Sequence, residues 1–169
     1  MNPEIAAALR GAARRFATGV TVMAAEGAFG RHAMTANSFV TLSLRPALIG
    51  VALTRGGRMR ALVEQAGAFG VSVLGADQEH YARHYAEHTR SGEAPLVELT
   101  LTGQPPRVPV VPGCLAVFAC RLWSILPVGD HELVVGEVAH CLTHDEHRPP
   151  LLFLGGRLVL GEPALLTAS

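Results

Sequence analysis

The stretch LAVFACRLWSILPVGDHELVVGEVAHCL, residues 115–142, decides the fold class of this chain. It contains two long apolar runs, 115–123 and 133–142, which have the length and composition of β-strands. The connection between them, centred on LPVGDH, is too short to hold a crossover helix. The two runs are therefore predicted to be long strands on either side of a turn, which favours an antiparallel sheet.

Shorter strands and three helices are predicted around this pair. The strands cover residues 20–24, 32–44, 47–53, 69–74, 151–154 and 158–160. One helix starts at Asn2 and Pro3, runs to Phe16, and is expected to pack its apolar face on the core. A second follows residues 54–57 and ends at Gly67, and a third, capped by Asp77, runs to about residue 88. Residues 89–113 are predicted to be a proline-rich loop.

Strands outnumber helices, and most connections are too short for β-α-β crossovers. This order predicts a mainly β protein, an antiparallel barrel or sandwich with flanking helices. A dinucleotide-binding Rossmann domain is disfavoured, because GAFGR (27–31) and RGGR (55–58) lack the GxGxxG spacing. The 169 residues, weighing 17.8 kDa, have the size of one domain spanning 1–169.

The composition excludes several classes of protein. With 49% hydrophobic and 17% charged residues, the chain is not disordered. Its 14 arginines, without any lysine, balance 14 acidic residues, so a nucleic-acid coat or a polybasic membrane anchor is disfavoured. Three cysteines without a CxxC motif fit a reducing compartment. The N-terminus lacks a signal-peptide core and no apolar run approaches the ~20 residues of a membrane span, so a cytoplasmic location is predicted.

Two segments carry candidate binding groups. TANSF (35–39) brings small polar side chains to a strand end, which suits a ligand edge with alternating donors and acceptors, such as a flavin ring and its ribityl chain. TRGGRMR (54–60) exposes backbone N–H groups before a helix N-terminus and carries three arginines, a combination that favours phosphate. The alternatives are a polar strand end facing water and a solvated turn.

Histidines form the remaining candidates. His131, at the turn between the two long strands, could hydrogen-bond a cofactor or donate a proton, although a polar loop residue is the alternative. Two histidine groups resemble metal ligands in spacing: His80, His84 and His88, and His140, Cys141, His144 and His147. The first group lacks the glutamate of HExxH, and no metal site is predicted.

Five segments, in this order, resemble the flavin reductase-like family, the FMN-binding split barrels. They are FATGVTVMAA (16–25), HAMTANSFVTLSLRPAL (32–48), DQEHYARHYA (77–86), GDHELVVGEV (129–138) and PPLLFLGGRL (149–158). The resemblance covers about residues 8–160. Within the family, the sequence is most similar to the short reductase components of two-component aromatic monooxygenases, of the 4-hydroxyphenylacetate 3-monooxygenase type.

The resemblance implies an antiparallel split β-barrel with flanking helices and an NAD(P)H:flavin oxidoreductase activity. NADH or NADPH would reduce FMN or FAD, and the reduced flavin would diffuse to a separate oxygenase. The alternative is a carrier or electron-transfer protein that holds flavin tightly without turnover. A homodimer is expected, because pairing covers open sheet edges and an exposed cleft. The first and third predicted helices are candidates for covering that cleft.

The resemblance also assigns roles to residues. Thr35, Ala36, Asn37 and Ser38 would line the isoalloxazine and ribityl chain, and Ser43 with Pro46 would shape the following turn. Thr54, Arg55, Gly56, Gly57 and Arg58 would meet the phosphate. His131, the candidate catalytic residue, would lie beside the nicotinamide, with Gly129 and Asp130 setting its turn. Many relatives carry Ser-x-Thr where this chain has Gly57 and Met59, so backbone N–H groups and arginine would replace the two hydroxyls.

Overall fold

The computed structural model describes residues 2–28, 30–87, 95–100, 107–144 and 147–162. Its helices are α1 (Pro3–Ala13), α2 (Arg58–Ala66) and α3 (Glu79–Ala86), with a 3-10 turn at Ala76–Gln78. Its first six strands are β1 (Thr18–Gly19), β2 (Thr21–Gly27), β3 (Gly30–Ala36), β4 (Phe39–Leu44), β5 (Ala47–Thr54) and β6 (Ala68–Val73). The others are β7 (Val97–Thr100), β8 (Arg107–Val110), β9 (Ala116–Val128), β10 (His131–Thr143), β11 (Leu151–Leu154) and β12 (Arg157–Leu160).

The strands form one large antiparallel sheet and two small ones. The large sheet has seven strands in the order β3-β2-β6-β9-β10-β5-β4. The predicted long pair is its centre: β9 and β10 run side by side from His131 opposite Val128 to Thr143 opposite Ala116. The small sheets are β1-β11-β12 and β7-β8. The predicted class, mainly antiparallel β with flanking helices, is confirmed.

The large sheet buries apolar side chains on both faces. Along β2, Met23 and Ala25 enter a cluster built around α2, whereas Val22 and Ala24 enter a cluster built around α3 and β8. Alternate residues of a strand point to opposite faces, so a strand buried on both sides reads as a continuous apolar run. We call these two groups the α2 cluster and the α3 cluster.

The first helix differs from its prediction. Asn2 caps it as expected, its side-chain oxygen accepting a hydrogen bond from the Glu4 amide at 2.9 Å. However, α1 ends at Ala13 and buries none of its residues, with Ile5 66% and Leu9 68% exposed. Its apolar face has no partner in the described part of the chain, so the predicted packing on the core is wrong. None of the described helices is long and apolar enough to span a bilayer.

Two further predictions are corrected. The predicted loop 89–113 contains the antiparallel pair β7-β8, and Val108 and Val110 of β8 belong to the α3 cluster. The burial of these valines outweighs the prolines that suggested a loop. Residues 88–94 and 101–106 lie outside the described ranges. Asp77 does not cap α3; its carboxylate accepts a hydrogen bond from Arg148 Nη2 at 2.6 Å.

Gly136 allows β10 to approach the α2 cluster closely. A β-carbon at this position would lie 2.5 Å from Phe69 Cζ and 2.8 Å from Cys120 Cβ. We therefore expect Gly136→Ala to lower the free energy of unfolding by about 1–3 kcal/mol, as overpacked core substitutions do. Urea unfolding followed by circular dichroism measures this difference.

The matched control is Gly11→Ala on the exposed α1, where no atom lies within 4 Å of the added carbon. Alanine favours a helix over glycine, so the control should be neutral or more stable by up to about 1 kcal/mol. A Gly136→Ala protein as stable as the wild type would contradict the packing described here.

Candidate functional site

A cleft of about 1120 Å³ lies between β3, the start of α2, α3 and the β11–β12 turn. Its size is slightly above the usual range for small-molecule sites, roughly 300–1,000 Å³. Of the residues predicted to bind flavin, it brings together Thr35, Ala36, Asn37, Thr54, Gly57 and Arg58. Its apolar lining includes Met34, Tyr85, Phe153 and Leu158.

The end of β3 supplies one wall. The Thr35 hydroxyl donates a hydrogen bond to the Ala82 carbonyl at 2.6 Å, which ties β3 to α3. The Ala36 carbonyl accepts from the Thr21 hydroxyl at 2.7 Å. Asn37 follows in the break between β3 and β4, and none of the described residues hydrogen-bonds its exposed amide. Asn37 therefore offers a free donor and a free acceptor to a ligand in the cleft.

Two predicted serines have other roles in this chain. Ser38 does not line the cleft: its hydroxyl donates to the Ala52 carbonyl at 2.9 Å and accepts from the Ala52 amide at 3.2 Å. It therefore fastens the start of β4 to β5. Ser43 lies in β4 opposite Leu48, next to the β4–β5 turn, and its oxygen accepts from the Arg45 amide at 3.2 Å. At about 3.3 Å per residue, that is roughly 20 Å along β5 from Thr54.

The N-terminus of α2 opens into the cleft without a side-chain cap. Gly57 is its N-cap residue, and no acidic residue occupies the first turn. The first amides of a helix lack partners within it and carry a partial positive charge, so they attract an anion. A β-carbon on Gly57 would lie 3.2 Å from the Thr54 carbonyl oxygen, and Gly56 has a positive φ of 71°. Glycine at both positions keeps the approach to these amides open.

The positions that the resemblance compares with a Ser-x-Thr pattern hold Gly57 and Met59. Met59 is only 2% exposed and belongs to the α2 cluster. This position therefore contributes core packing and no hydroxyl. Backbone amides and the neighbouring Arg58 remain as phosphate donors, and this donor set fits the phosphate of a flavin nucleotide.

The cleft concentrates positive charge in a chain whose formal net charge is zero. Its described lining includes Arg58, Arg60, Arg83 and Arg157 but a single carboxylate, Glu87. Arg60 is paired with Glu64 at 2.5 Å and lies 3.4 Å from Glu132, and Arg83 is paired with Glu79. Across the described ranges, Arg58 and Arg157 form no ion pair. These two guanidinium groups are the ones free to meet an anionic ligand.

The turn that carries His131 lies beside this end of the cleft. His131 is opposite Thr54 on β5, and the Arg55 amide donates to the Asp130 carbonyl at 3.3 Å. Arg55, Gly56, Gly129, Asp130 and His131 are therefore neighbours of the cleft and not part of its lining. Gly129 has the positive φ, 59°, that the turn requires.

His131 is held by its neighbour. Its Nδ1 lies 2.8 Å from Asp130 Oδ1, and its side chain is 45% exposed. This hydrogen bond lowers the pKa of Asp130 below its usual value, and the charge of Arg55 contributes further. With Nδ1–H donating to the carboxylate, Nε2 is the nitrogen left for a ligand.

The two histidine groups considered for metal binding show no convergence. His80 and His84 pack against Tyr81 and Tyr85, with ring centroids 4.4 and 4.8 Å apart. Over the ranges that the structure describes, no three His, Cys, Asp or Glu side chains form a group that could hold a metal ion. His88 lies outside those ranges.

Sequence reasoning missed one wall of the cleft. Phe153, Gly156, Arg157 and Leu158 reach it because β11 pairs with β1, opposite Thr18 and Gly19. Because that pairing joins residues about 130 positions apart, no local sequence pattern predicts it. The only available signal was the resemblance of PPLLFLGGRL to the family's ending.

The antiparallel β fold has a cleft with uncapped helix amides and with arginines that no described carboxylate pairs, an arrangement that suits an anionic molecule. The sequence profile of the flavin reductase like domain matches residues 13–160. This chain belongs to that family.

Several relatives are closely similar over most of their length. The reductase component of 4-hydroxyphenylacetate 3-monooxygenase from Thermus thermophilus is 40% identical over 146 residues, covering 86% of this chain and 90% of that protein. The NADH-dependent flavin reductase StyB from Pseudomonas fluorescens is 35% identical, covering 88% and 85%. The flavin reductase component of a bacterial two-component tryptophan halogenase has a TM-score of 0.82 at 38% identity, covering 93% and 99% of the two chains. The Streptomyces globisporus NADH:FAD oxidoreductase, solved with NAD and FAD fragments, has a TM-score of 0.85 at 32% identity, covering 100% and 98%.

The hydrogen bond between Asp130 and His131 should affect the titration of the Asp130 carboxyl. Because the pKa of Asp130 is lowered from 3.8 in the folded protein, its contribution to folding is present above that usual value. The contribution is lost as the pH falls through the lowered pKa. Carboxyl carbon NMR should show that the pKa of Asp130 is below 3.8 in the wild type and rises towards that value in His131→Ala, where the backbone hydrogen bond and the charge of Arg55 remain.

His144→Ala, just beyond the other end of β10, is the control and should leave the Asp130 titration unchanged. An Asp130 carboxyl that titrates at its usual value in the wild type would show that the hydrogen bond does not form in solution.

Proposed function

We propose that this chain is an NAD(P)H-dependent flavin reductase, a single flavin reductase-like domain spanning 1–169, which supplies reduced FMN or FAD to a separate monooxygenase. The observation that carries the proposal is the uncapped N-terminus of α2, with Arg58, in the same cleft as the polar end of β3. The N-terminus of α2 with Arg58 suits a phosphate, and the polar end of β3 suits the polar edge of a ring. The names of its relatives support the same activity, since two are NADH-dependent flavin reductases and another is the reductase component of a monooxygenase.

The cleft residues divide between the parts of a flavin nucleotide. Thr35, Ala36 and Asn37 would face the ring and ribityl chain, because they end β3 inside the cleft. Gly57 and Arg58 would hold the phosphate. Ser38 would support this wall indirectly through its bonds to Ala52, and we assign no ligand contact to Ser43.

The protein's contribution to the reaction is orientation. Hydride transfer from a nicotinamide to a flavin is chemistry that the two bound nucleotides supply. Holding reacting atoms about 3–3.5 Å apart lowers the barrier by several kcal/mol without any side-chain acid or base. We therefore assign His131 to placing the nicotinamide, with Asp130 orienting its ring and Gly129 forming the turn.

The experiment that tests the proposal is NADH oxidation followed at 340 nm, with FMN and FAD each titrated from zero. Saturable turnover that depends on added flavin is expected, and the two KM values report the flavin preference. NADPH in place of NADH reports the preferred donor. A correctly folded protein that stays yellow through dialysis and shows no turnover with added flavin would instead be a flavin carrier.

His131→Ala tests the assignment of the nicotinamide position. The KM for NADH should be about three- to tenfold higher in the variant, because the loss of one hydrogen bond costs about 1 kcal/mol. The dissociation constant for FMN, measured by fluorescence, should change less than twofold. His144→Ala is the matched control for both quantities. Equal losses of affinity for NADH and FMN in His131→Ala would contradict the assignment.

We also propose that two copies of the chain pair through the outer face of β4. Val40 and Leu42 are 42% and 44% exposed, and both lie over Gly50 on the face opposite the α2 cluster. Leu126 and Leu133 continue this apolar face across β9 and β10. A sheet edge with exposed apolar side chains is commonly covered by a symmetric partner, which supports a homodimer.

Leu42→Glu tests this dimer, because a carboxylate at a buried interface is costly. Light scattering after size-exclusion chromatography should give a dimeric mass of the wild type and a monomeric mass of the variant. Val97→Glu on β7, an exposed position (47%) in the separate β7-β8 sheet, should remain dimeric. A wild type that is monomeric at tens of micromolar would refute the proposal.

The compartment is a further part of the proposal. Cys114 and Cys120 are buried free thiols and Cys141 is an exposed one. Free thiols persist in a reducing environment, which supports a cytoplasmic location.

A further inference from the structure

The β11–β12 turn brings one arginine to the cleft and lies against a second. Arg157 is the first residue of β12 and lines the cleft directly. Arg14, the residue that ends α1, accepts a hydrogen bond at its carbonyl from the Gly155 amide at 2.9 Å. A β-carbon built on Gly156, itself a lining residue, would lie 3.7 Å from Arg14 Nε and 3.9 Å from its Cζ. The Arg14 guanidinium therefore lies against the same turn.

The backbone of this turn keeps the space beside Arg14 open. Gly155 and Gly156 have positive φ angles of 64° and 84°, which other residues adopt rarely. Gly156, which lines the cleft, therefore has no side chain between its backbone and the Arg14 guanidinium. Arg157 follows immediately and approaches the cleft from the start of β12.

Neither guanidinium is neutralised within the described ranges, where Arg14 and Arg157 form no ion pair. The single carboxylate in the described lining, Glu87, is on α3. Two like charges held at the same turn repel each other, and a bound anion reduces that cost. Guanidinium groups match phosphate oxygens with paired, charge-assisted hydrogen bonds.

We propose that Arg157 and Arg14 form a second phosphate position, on a different wall from Gly57 and Arg58, which takes the diphosphate of a dinucleotide. The inference rests on the proposed function, since it names a further group of the same nucleotides. The diphosphate could belong to FAD or to the nicotinamide dinucleotide, and in both cases the chemistry recognised is the same. A cleft larger than the usual small-molecule site has room for a group beyond a mononucleotide.

The test compares ligands that differ by the diphosphate. Dissociation constants for riboflavin, FMN and FAD are measured by fluorescence, and KM values for NADH and for reduced nicotinamide mononucleotide are measured with FMN as acceptor. Calorimetric titration with ADP-ribose, which carries the diphosphate without a reactive ring, needs no turnover. Each measurement is made on the wild type, Arg157→Gln, Arg14→Gln and Arg157→Lys, with Arg45→Gln in the exposed β4–β5 turn as the control.

We expect Arg157→Gln to lower the affinity for one dinucleotide by about tenfold, the effect of losing one charge-assisted hydrogen bond. If the arginines bind the diphosphate of FAD, the dissociation constant for FAD rises, while those for FMN and riboflavin stay within about twofold of the wild-type values. If they bind that of the nicotinamide dinucleotide, the KM for NADH and the dissociation constant for ADP-ribose rise, while the mononucleotide is unaffected. Arg14→Gln should weaken the binding of the same ligand. Arg157→Lys should bind it more tightly than Arg157→Gln but less tightly than the wild type, because lysine keeps the positive charge and lacks the paired donors of the guanidinium.

Unchanged affinity for every dinucleotide in Arg157→Gln would overturn the proposal, and so would equal weakening of dinucleotides and mononucleotides. Thermal unfolding checks that each variant is folded. If Arg157→Gln does not fold, Arg157→Lys and Arg14→Gln decide the question. A wild type that binds ADP-ribose or FAD through these arginines but never oxidises NADH would refute the proposed function and leave the phosphate position standing.

Discussion

The long ladder between β9 and β10 is the constraint on which the rest of the structure depends. β6 pairs along one side of β9 and β5 along the far side of β10, so both halves of the large sheet take their register from it. The ladder contains bulges, at Val135/Gly136 and Val138/His140, which bend a strand and increase its twist. Its turn also carries His131 opposite Thr54. The strand pairing that organises the core therefore also places the β9–β10 turn at the edge of the cleft.

Helix α2 serves the core and the cleft at once. Met59, Leu62 and Val63 are buried in the α2 cluster, and each such side chain stabilises the fold by roughly 1.5–3 kcal/mol relative to exposure. The same packing fixes the direction of the helix, so that its uncapped N-terminus opens into the cleft. A capping side chain in place of Gly57 would stabilise the helix by only roughly a few tenths of a kcal/mol, and it would occupy the amides that a phosphate needs. The absence of a cap is therefore consistent with ligand binding.

The sequence predicted most of what periodicity and turn chemistry control. The long strands, the Gly67 end of α2 and the Asn2 cap of α1 all depend on neighbouring residues, and they were predicted correctly. Segments whose structure depends on distant partners were not: the β7-β8 pair is stabilised by the burial of Val108 and Val110, and the proline content hid it. The same limit applies to the site. Residues 35–37 and 57–58, which line the cleft, could be predicted as candidates because each set is contiguous, whereas Arg157 reaches the cleft only through the pairing of β11 with β1.

The distribution of charge separates structural arginines from those available for a ligand. Arg60 and Arg83 are each paired with a glutamate four residues away on their own helix, and such pairs add a few tenths of a kcal/mol to a helix. Arg58, Arg14 and Arg157 lie at the ends of elements, and none of them pairs with a carboxylate of the described residues. Because the chain is neutral overall, the excess of positive charge in the cleft cannot arise from a general basic character. It arises from where the arginines are placed: Arg58 on one wall, and Arg157, with Arg14 against the same turn, on another, as a ligand with phosphate at two positions would require.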